Sequence, residues 1–141
     1  MEGYSVFELT AALLLMAVAS AVMVPAGASH RDRIRVLTAR EFVVSAIQET
    51  RTEAVRAGGA SLVLNAPDAR GRIMVGDSMI RAFRLDPVGR VDLVLGRGRR
   101  ETEIDFGGLG LGLFANETLE LMAGDARTRL VISSYGRVRR E

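Results

Sequence analysis

The hydrophobic pattern divides the chain into three stretches of different period. From Leu9 to Val24 every position is apolar or small (LTAALLLMAVASAVMV), and between Gly3 and Ser29 the one charged residue is Glu8. With Tyr4, Val6 and Phe7 the apolar stretch reaches about 20 residues, enough to span a bilayer as a helix. From Ile34 the period becomes helical and one-sided. Val36, Ala39, Val43, Ala46, Ile47, Thr50 and Ala54 fall within about 100° of arc. Glu41, Ser45, Gln48, Glu49, Thr52 and Arg56 take the other side. Gly58-Gly59 suits a left-handed C-terminal cap and should end the helix. One helix from about Ser5 to Ala57 would be ~80 Å long. Pro25 is its expected kink, because proline removes a backbone donor and disturbs the preceding turn.

After Gly59 the period shifts to two. Leu62 and Leu64, Ile73 and Val75, Val91, Leu93 and Leu95, Ile104 and Phe106, Leu119 and Leu121, and Leu130 and Ile132 alternate with polar positions. Ile80, Ala82 and Leu85 form a looser match. Breakers separate these runs at Ala66-Pro67-Asp68, Gly76-Asp77, Asp86-Pro87-Val88-Gly89, Gly96-Arg97-Gly98 and Ala123-Gly124-Asp125. The pattern predicts roughly six to eight short strands, mostly antiparallel hairpins, curved over the amphipathic half-helix. The fold class is α+β.

Composition narrows the function classes. The 141 residues include no Cys and one His (His30), so a thiolate site, a His-based metal cluster and a Ser-His-Asp triad lack material. All 19 basic residues are Arg, which excludes Schiff-base chemistry and a Walker lysine. Aromatics at 5% argue against a base-stacking platform. No catalytic residue, cofactor or metal is expected, and the chain reads as a non-enzyme.

Glu8 needs an explanation, since a carboxylate inside a membrane segment costs a few kcal/mol unless it is paired. A secretory signal peptide would want a basic n-region where Glu8 stands, although Ala26-Gly27-Ala28 imitates a cleavage site. A plain membrane anchor fits the length and leaves Glu8 unaccounted for. Gly3-Tyr4-Ser5-Val6-Phe7-Glu8-Leu9 resembles the type IV pilin signature: a Gly, an aromatic start to the mature chain, then Glu as its fifth residue. The resemblance implies a short leader, 1–3, cleaved by a prepilin peptidase between Gly3 and Tyr4, with N-methylation of Tyr4. It implies that Glu8 offsets the N-terminal amine of a neighbouring subunit during assembly, since two opposite charges desolvated together tolerate burial better than either alone. Residues 4–29 would then be the membrane and filament-core half of the helix, 30–57 its amphipathic half, and 58–141 a β-rich periplasmic domain. Pro25 also matches the family, whose first helix bends or loosens near that place.

Two features depart from that pattern. The leader Met1-Glu2-Gly3 lacks the usual basic residue. Arg31, Arg33 and Arg35 lie just beyond the apolar run, where the positive-inside rule alone would put the C-terminal side in the cytoplasm. Either the start codon lies upstream, or the leader is recognised without its basic residue.

Two further segments narrow the resemblance to the GspH/FimT family. Thr50-Arg51-Thr52-Glu53-Ala54, within the run that begins at Arg40, is similar to that family's first-helix stretch. Leu130-Val131-Ile132-Ser133-Ser134-Tyr135-Gly136-Arg137-Val138-Arg139 is similar to its closing strand and G-R-x-R ending. The resemblance implies a type IV pilin-like fold, with a long helix packed on a curved, mostly antiparallel sheet domain. It implies a structural minor pilin or pseudopilin of a type II secretion or type IV pilus filament. The implied partners are other pilin or pseudopilin subunits, prepilin peptidase and an inner-membrane assembly platform. The chain would be single-pass in the inner membrane before entering the filament.

The remaining motifs carry less. Gly107-Gly108-Leu109-Gly110-Leu111-Gly112 lacks the helix of a phosphate loop and reads as a flexible connection. Glu101, Glu103 and Asp105 share a strand face without a His partner, and read as a solvated face. Arg97, Arg99 and Arg100 are expected at a hairpin tip, and Arg137, Arg139 and Arg140 end the chain. Arginine there can hold phosphate oxygens bidentately. The Gly136-Arg137-Val138-Arg139 resemblance implies the alternative function, binding of double-stranded DNA for uptake in natural transformation. Residues 57–141 carry 13 Arg against 11 acidic residues, so overall charge decides little.

Overall fold

The computed structural model describes residues 5–85, 90–113 and 116–141; the side chains of residues 22–26 are not described. The cleavage site Gly3-Tyr4 and the breaker at 86–89 lie outside the described residues, and Pro25, expected as a kink, falls inside one helix with its side chain not described. Helix α1 runs from Val6 to Ala57. Ser5 starts it: its hydroxyl accepts from the Phe7 amide (3.3 Å), and its own amide donates to the Glu8 carboxylate (3.0 Å). This reciprocal pair is a capping box. Gly58 ends the helix at φ 85°, in the left-handed region that glycine enters without strain.

The two halves of α1 differ as the sequence pattern requires. Residues 5–21 are exposed on every face, and among the side chains described Val36 is the first buried one. From there Val36, Ala39, Val43, Ala46, Ile47, Thr50 and Ala54 are all buried. This stripe packs against β1 (Gly59–Asn65), β2 (Arg70–Val75), β5 (Glu101–Gly107), β6 (Glu117–Ala123) and β7 (Ala126–Ile132). Thr50 enters the stripe at no polar cost, because its hydroxyl donates to the Ala46 carbonyl at 2.7 Å. Among the described residues no helix is long and apolar enough to cross a membrane.

The strands form two antiparallel four-stranded sheets rather than one continuous sheet. With β3 (Ser78–Arg84), β4 (Asp92–Leu95) and β8 (Val138–Arg140), the orders are β3-β2-β1-β5 and β4-β6-β7-β8. Leu62, Leu64, Ile73, Ile104 and Phe106 of the first sheet and Leu93, Leu95, Leu119, Leu121, Leu130 and Ile132 of the second meet the helix stripe in one core.

Two expectations are corrected. Arg97, Arg99 and Arg100 do not occupy a hairpin tip. The segment after β4 crosses from the second sheet to β5 of the first, turning through a short 3-10 stretch, Gly96–Gly98. Ile80 and Ala82 do not face the core, because β3 is an outer edge strand and a bulge between Ile73 and Met74 shifts its register. Phe83 is its inward residue, and its ring lies over Gly71 and packs edge-on against Phe42 at 5.4 Å. A Cβ at Gly71 would overlap the Phe83 ring, so a side chain there would force the ring to move.

Candidate functional site

Glu8 lies near the start of a fully exposed apolar arm, where Val6 and Phe7 are 79% and 81% exposed. In the isolated chain its carboxylate is engaged by the Ser5 amide. Glu8 therefore has a local capping role that the charge argument missed. The signal was present as Ser5-Val6-Phe7-Glu8, the spacing of a capping box. Gly3 and Tyr4 lie outside the described residues.

The two segments that carried the narrower resemblance meet in space. The Arg51 guanidinium, on the last turns of α1, donates to the Gly136 carbonyl in the turn between β7 and β8. It also lies over the Phe106 ring, 5.4 Å from the centroid. The Arg51 Nε is buried and has no hydrogen-bond partner among the described residues. Gly136 is buried at φ 77°, and a Cβ on it would meet Phe106 and Arg51. The pair therefore locks the helix to the C-terminal turn, joining Arg51 to Gly136 across 85 positions, next to Arg137.

A cavity of about 650 Å³ opens beside this lock, lined by Arg51, Gly110, Leu111, Ser133, Tyr135 and Arg137. The glycine-rich connection forms one wall and is more ordered than the sequence reading implies. Gly107 N donates to Leu111 O (2.9 Å), Gly112 N to Tyr135 O (3.2 Å) and Leu113 N to Asp105 O (2.8 Å). These bonds hold the loop against β5 and the C-terminal turn while its side chains face outward. Leu109 is 86% exposed and Tyr135 70%, and Val55, Leu111 and Leu113 are exposed beside them. Apolar side chains thus stand exposed on a loop held by backbone hydrogen bonds.

The arginines fall into two groups. Arg99 is part of the scaffold: it pairs with Glu117, whose side chain is 3% exposed, and Glu117 also accepts from the Thr102 hydroxyl at 2.6 Å. Arg140 reaches Glu41 on α1 at 3.0 Å. That contact, with Arg40, holds the Glu41 carboxyl below its ordinary range. Arg97, Arg100, Arg137 and Arg139 are exposed and have no ion-pair partner among the described residues. The pairing register runs Leu95–Leu119–Leu130, then Glu117–Ile132–Val138, so Arg97 and Arg137 leave the second sheet at the same end. Three strand spacings separate their edges, roughly 14 Å.

Glu101, Glu103 and Asp105 do share the outer face of β5. Arg72 approaches Glu101 at 3.5 Å and Asn65 donates to it at 3.2 Å. Partial burial, then the charge of Glu103, raise the Asp105 carboxyl above its ordinary value. His30 is exposed and far along the chain from this face.

No protein-family model and no curated protein matches the chain. Solved structures do. The type IV minor pilin FimU of Pseudomonas aeruginosa (strain PAO1) superposes with a TM-score of 0.63 over 77% of this chain and 90% of that one, at 19% identity. This is the minor-pilin fold. The minor pseudopilin EpsH of the Vibrio cholerae type 2 secretion system is similar in two structures. Their TM-scores are 0.55 and 0.56 at 13% and 11% identity, covering 74% and 77% of this chain and 94% and 97% of those.

Proposed function

We propose that the chain is a non-enzymatic structural subunit, a minor pilin or pseudopilin of the GspH/FimT type, anchored in the inner membrane and inserted from there into a filament. The observation that carries this reading is the unlike character of the two halves of α1. Residues 5–21, with Glu8 their one charge, are exposed on every face; the second half buries a single stripe against both sheets. An arm of that kind needs either lipid or other helices around it. The minor-pilin fold supports the second environment, and the sequence Gly3-Tyr4 with Glu8 supports passage from the first to the second. In this reading prepilin peptidase cleaves after Gly3, Tyr4 becomes the methylated N-terminus, and the domain lies in the periplasm. Glu8 leaves its local cap to meet the terminal amine of a neighbouring subunit. The pinned loop with Leu109, Leu111 and Leu113, and Tyr135 beside it, supplies lateral contact.

Mass analysis of the chain from cells containing prepilin peptidase tests the processing step. The expected product lacks residues 1–3 and carries one methyl group on Tyr4. Recovery of only the unprocessed chain overturns it.

A second reading, binding of double-stranded DNA for uptake, rests on Arg137, at the end of the second sheet, and Arg139, on its edge strand β8, whose guanidinium groups have no ion-pair partner among the described residues. Mobility shifts of the full chain in detergent test it. Arg137→Ala and Arg139→Ala should each weaken binding evenly across sequences and lower the salt slope by roughly one. Arg99→Ala should act through stability instead, since Arg99 already serves Glu117. Absence of any shift at low salt removes the DNA reading and leaves the structural one.

A further inference from the structure

We propose that the cavity between α1 and the turn joining β6 to β7 binds the phosphate of an anionic phospholipid head group. The inference rests on the membrane-anchor reading above. The cavity, about 550 Å³, is lined by Ser29, His30 and Arg33 of the helix and by Asp125, Ala126 and Arg127 of the turn and β7. Arg33 and Arg127 are exposed and have no ion-pair partner among the described residues. Asp125 is the one acidic lining residue, so two Arg against one Asp leave a net charge of +1 with His30 neutral. Asp32, on the same turn of helix, is engaged by Arg35 at 3.0 Å and adds no free counter-charge.

Position selects a lipid over a free anion. By sequence, the nineteen residues from Val6 to Val24 carry one charge, Glu8, and as helix measure roughly 28 Å against a hydrocarbon core of about 30 Å. His30 lies six residues beyond Val24, about 9 Å further along the axis, and Arg33 nine residues beyond it, about 14 Å. The polar layer of one leaflet is roughly 5–8 Å deep. Helical side chains lean toward the N-terminus, so Arg33 is directed back toward that layer. The β6–β7 turn reaches the same level: Gly124 lies so close to Asp32 that a Cβ would sit 2.7 Å from its carboxylate. Arg127 thus approaches from the domain side as Arg33 does from the helix side. Two guanidinium groups lining one cavity suit the bidentate geometry of phosphate.

The same site gives the cations beyond the apolar run a use on the side of the membrane where the family orientation puts them. Seating the domain on the head groups would fix its height and rotation before the subunit is drawn into a filament.

The test is amide hydrogen exchange of the full chain in nanodiscs of phosphatidylcholine alone or mixed with phosphatidylglycerol. Exchange in the turn at 123–126 should slow in the anionic discs, roughly fivefold for each cation engaged. The slowing should be lost in the double variant Arg33→Gln/Arg127→Gln and kept in Arg97→Gln, at the other end of the sheet. Equal exchange in both discs overturns the anionic head-group assignment, and slowing that survives the double variant overturns the site. Slowing by inorganic phosphate in neutral discs overturns the lipid assignment. A chain that enters neither disc overturns the anchor reading and this site with it.

Discussion

At the residue scale, burial sorts ion pairs that look alike in the sequence. Glu117 is buried, and its charge is tolerable because Arg99 and Thr102 both serve it. Arg99→Ala strips the cation from a carboxylate that cannot reach water. It should cost about 1–3 kcal/mol in denaturant unfolding, reduced from the fully buried case because Arg99 itself is half exposed. Arg140→Ala breaks an exposed pair with Glu41 and should cost under about 1 kcal/mol. Its trace is a pH effect. The Glu41 carboxyl is held low by Arg140 and then Arg40. Its contribution is therefore present above the ordinary carboxylate range and is lost as pH falls through the lowered folded value. Glu41→Gln should flatten the acid limb of the stability profile. Asp105 has the opposite sign. Partial burial and Glu103 raise its folded pKa, so its contribution falls as pH rises through that window. Asp105→Asn should be neutral or stabilising near pH 7, read as an unchanged or higher melting temperature. The sequence held these charges but not their partners, since Glu41 and Arg140 stand 99 positions apart.

At the element scale, periodicity was enough wherever an element has one buried face. The α1 stripe, the Gly58 stop and the alternation of β1, β4, β5, β6 and β7 follow from spacing alone. It failed at β3, where no face is covered along its length and a bulge displaces the register, so Ile80 and Ala82 alternate without a core to enter. It also failed at the β4–β5 connection, because a turn signal does not say whether the next strand pairs or changes sheet. Two substitutions check the packing. Ile47→Ala removes a fully buried side chain from the middle of the stripe and should cost about 2–5 kcal/mol. Gly71→Ala puts a methyl group into the Phe83 ring and should displace β3, costing about 1–3 kcal/mol. Amide exchange confined to β2 and β3 would show the displacement.

At the scale of the whole molecule, a domain with one core carries an arm that has no core of its own. The fold was legible because that contrast is written in hydropathy over dozens of residues. The candidate site was legible in part. The segments around Arg51 and Gly136 stood out separately, while the contact between them needed the fold. The exposed leucines of the glycine-rich loop were hidden by a composition that reads as simple flexibility. Glu8 joins the scales: it caps its own helix in the free chain, and in the filament its charge would serve a neighbour. Glu8→Gln separates the two roles, since glutamine preserves a capping box and removes the charge. The most direct measurement is therefore the amount of chain recovered in sheared filaments from cells expressing wild type or Glu8→Gln at equal membrane levels. Recovery of the wild type with a several-fold loss for Glu8→Gln is the expected result. Wild-type chain confined to the membrane fraction while filaments assemble without it, or equal recovery of both, would contradict a filament subunit registered by Glu8.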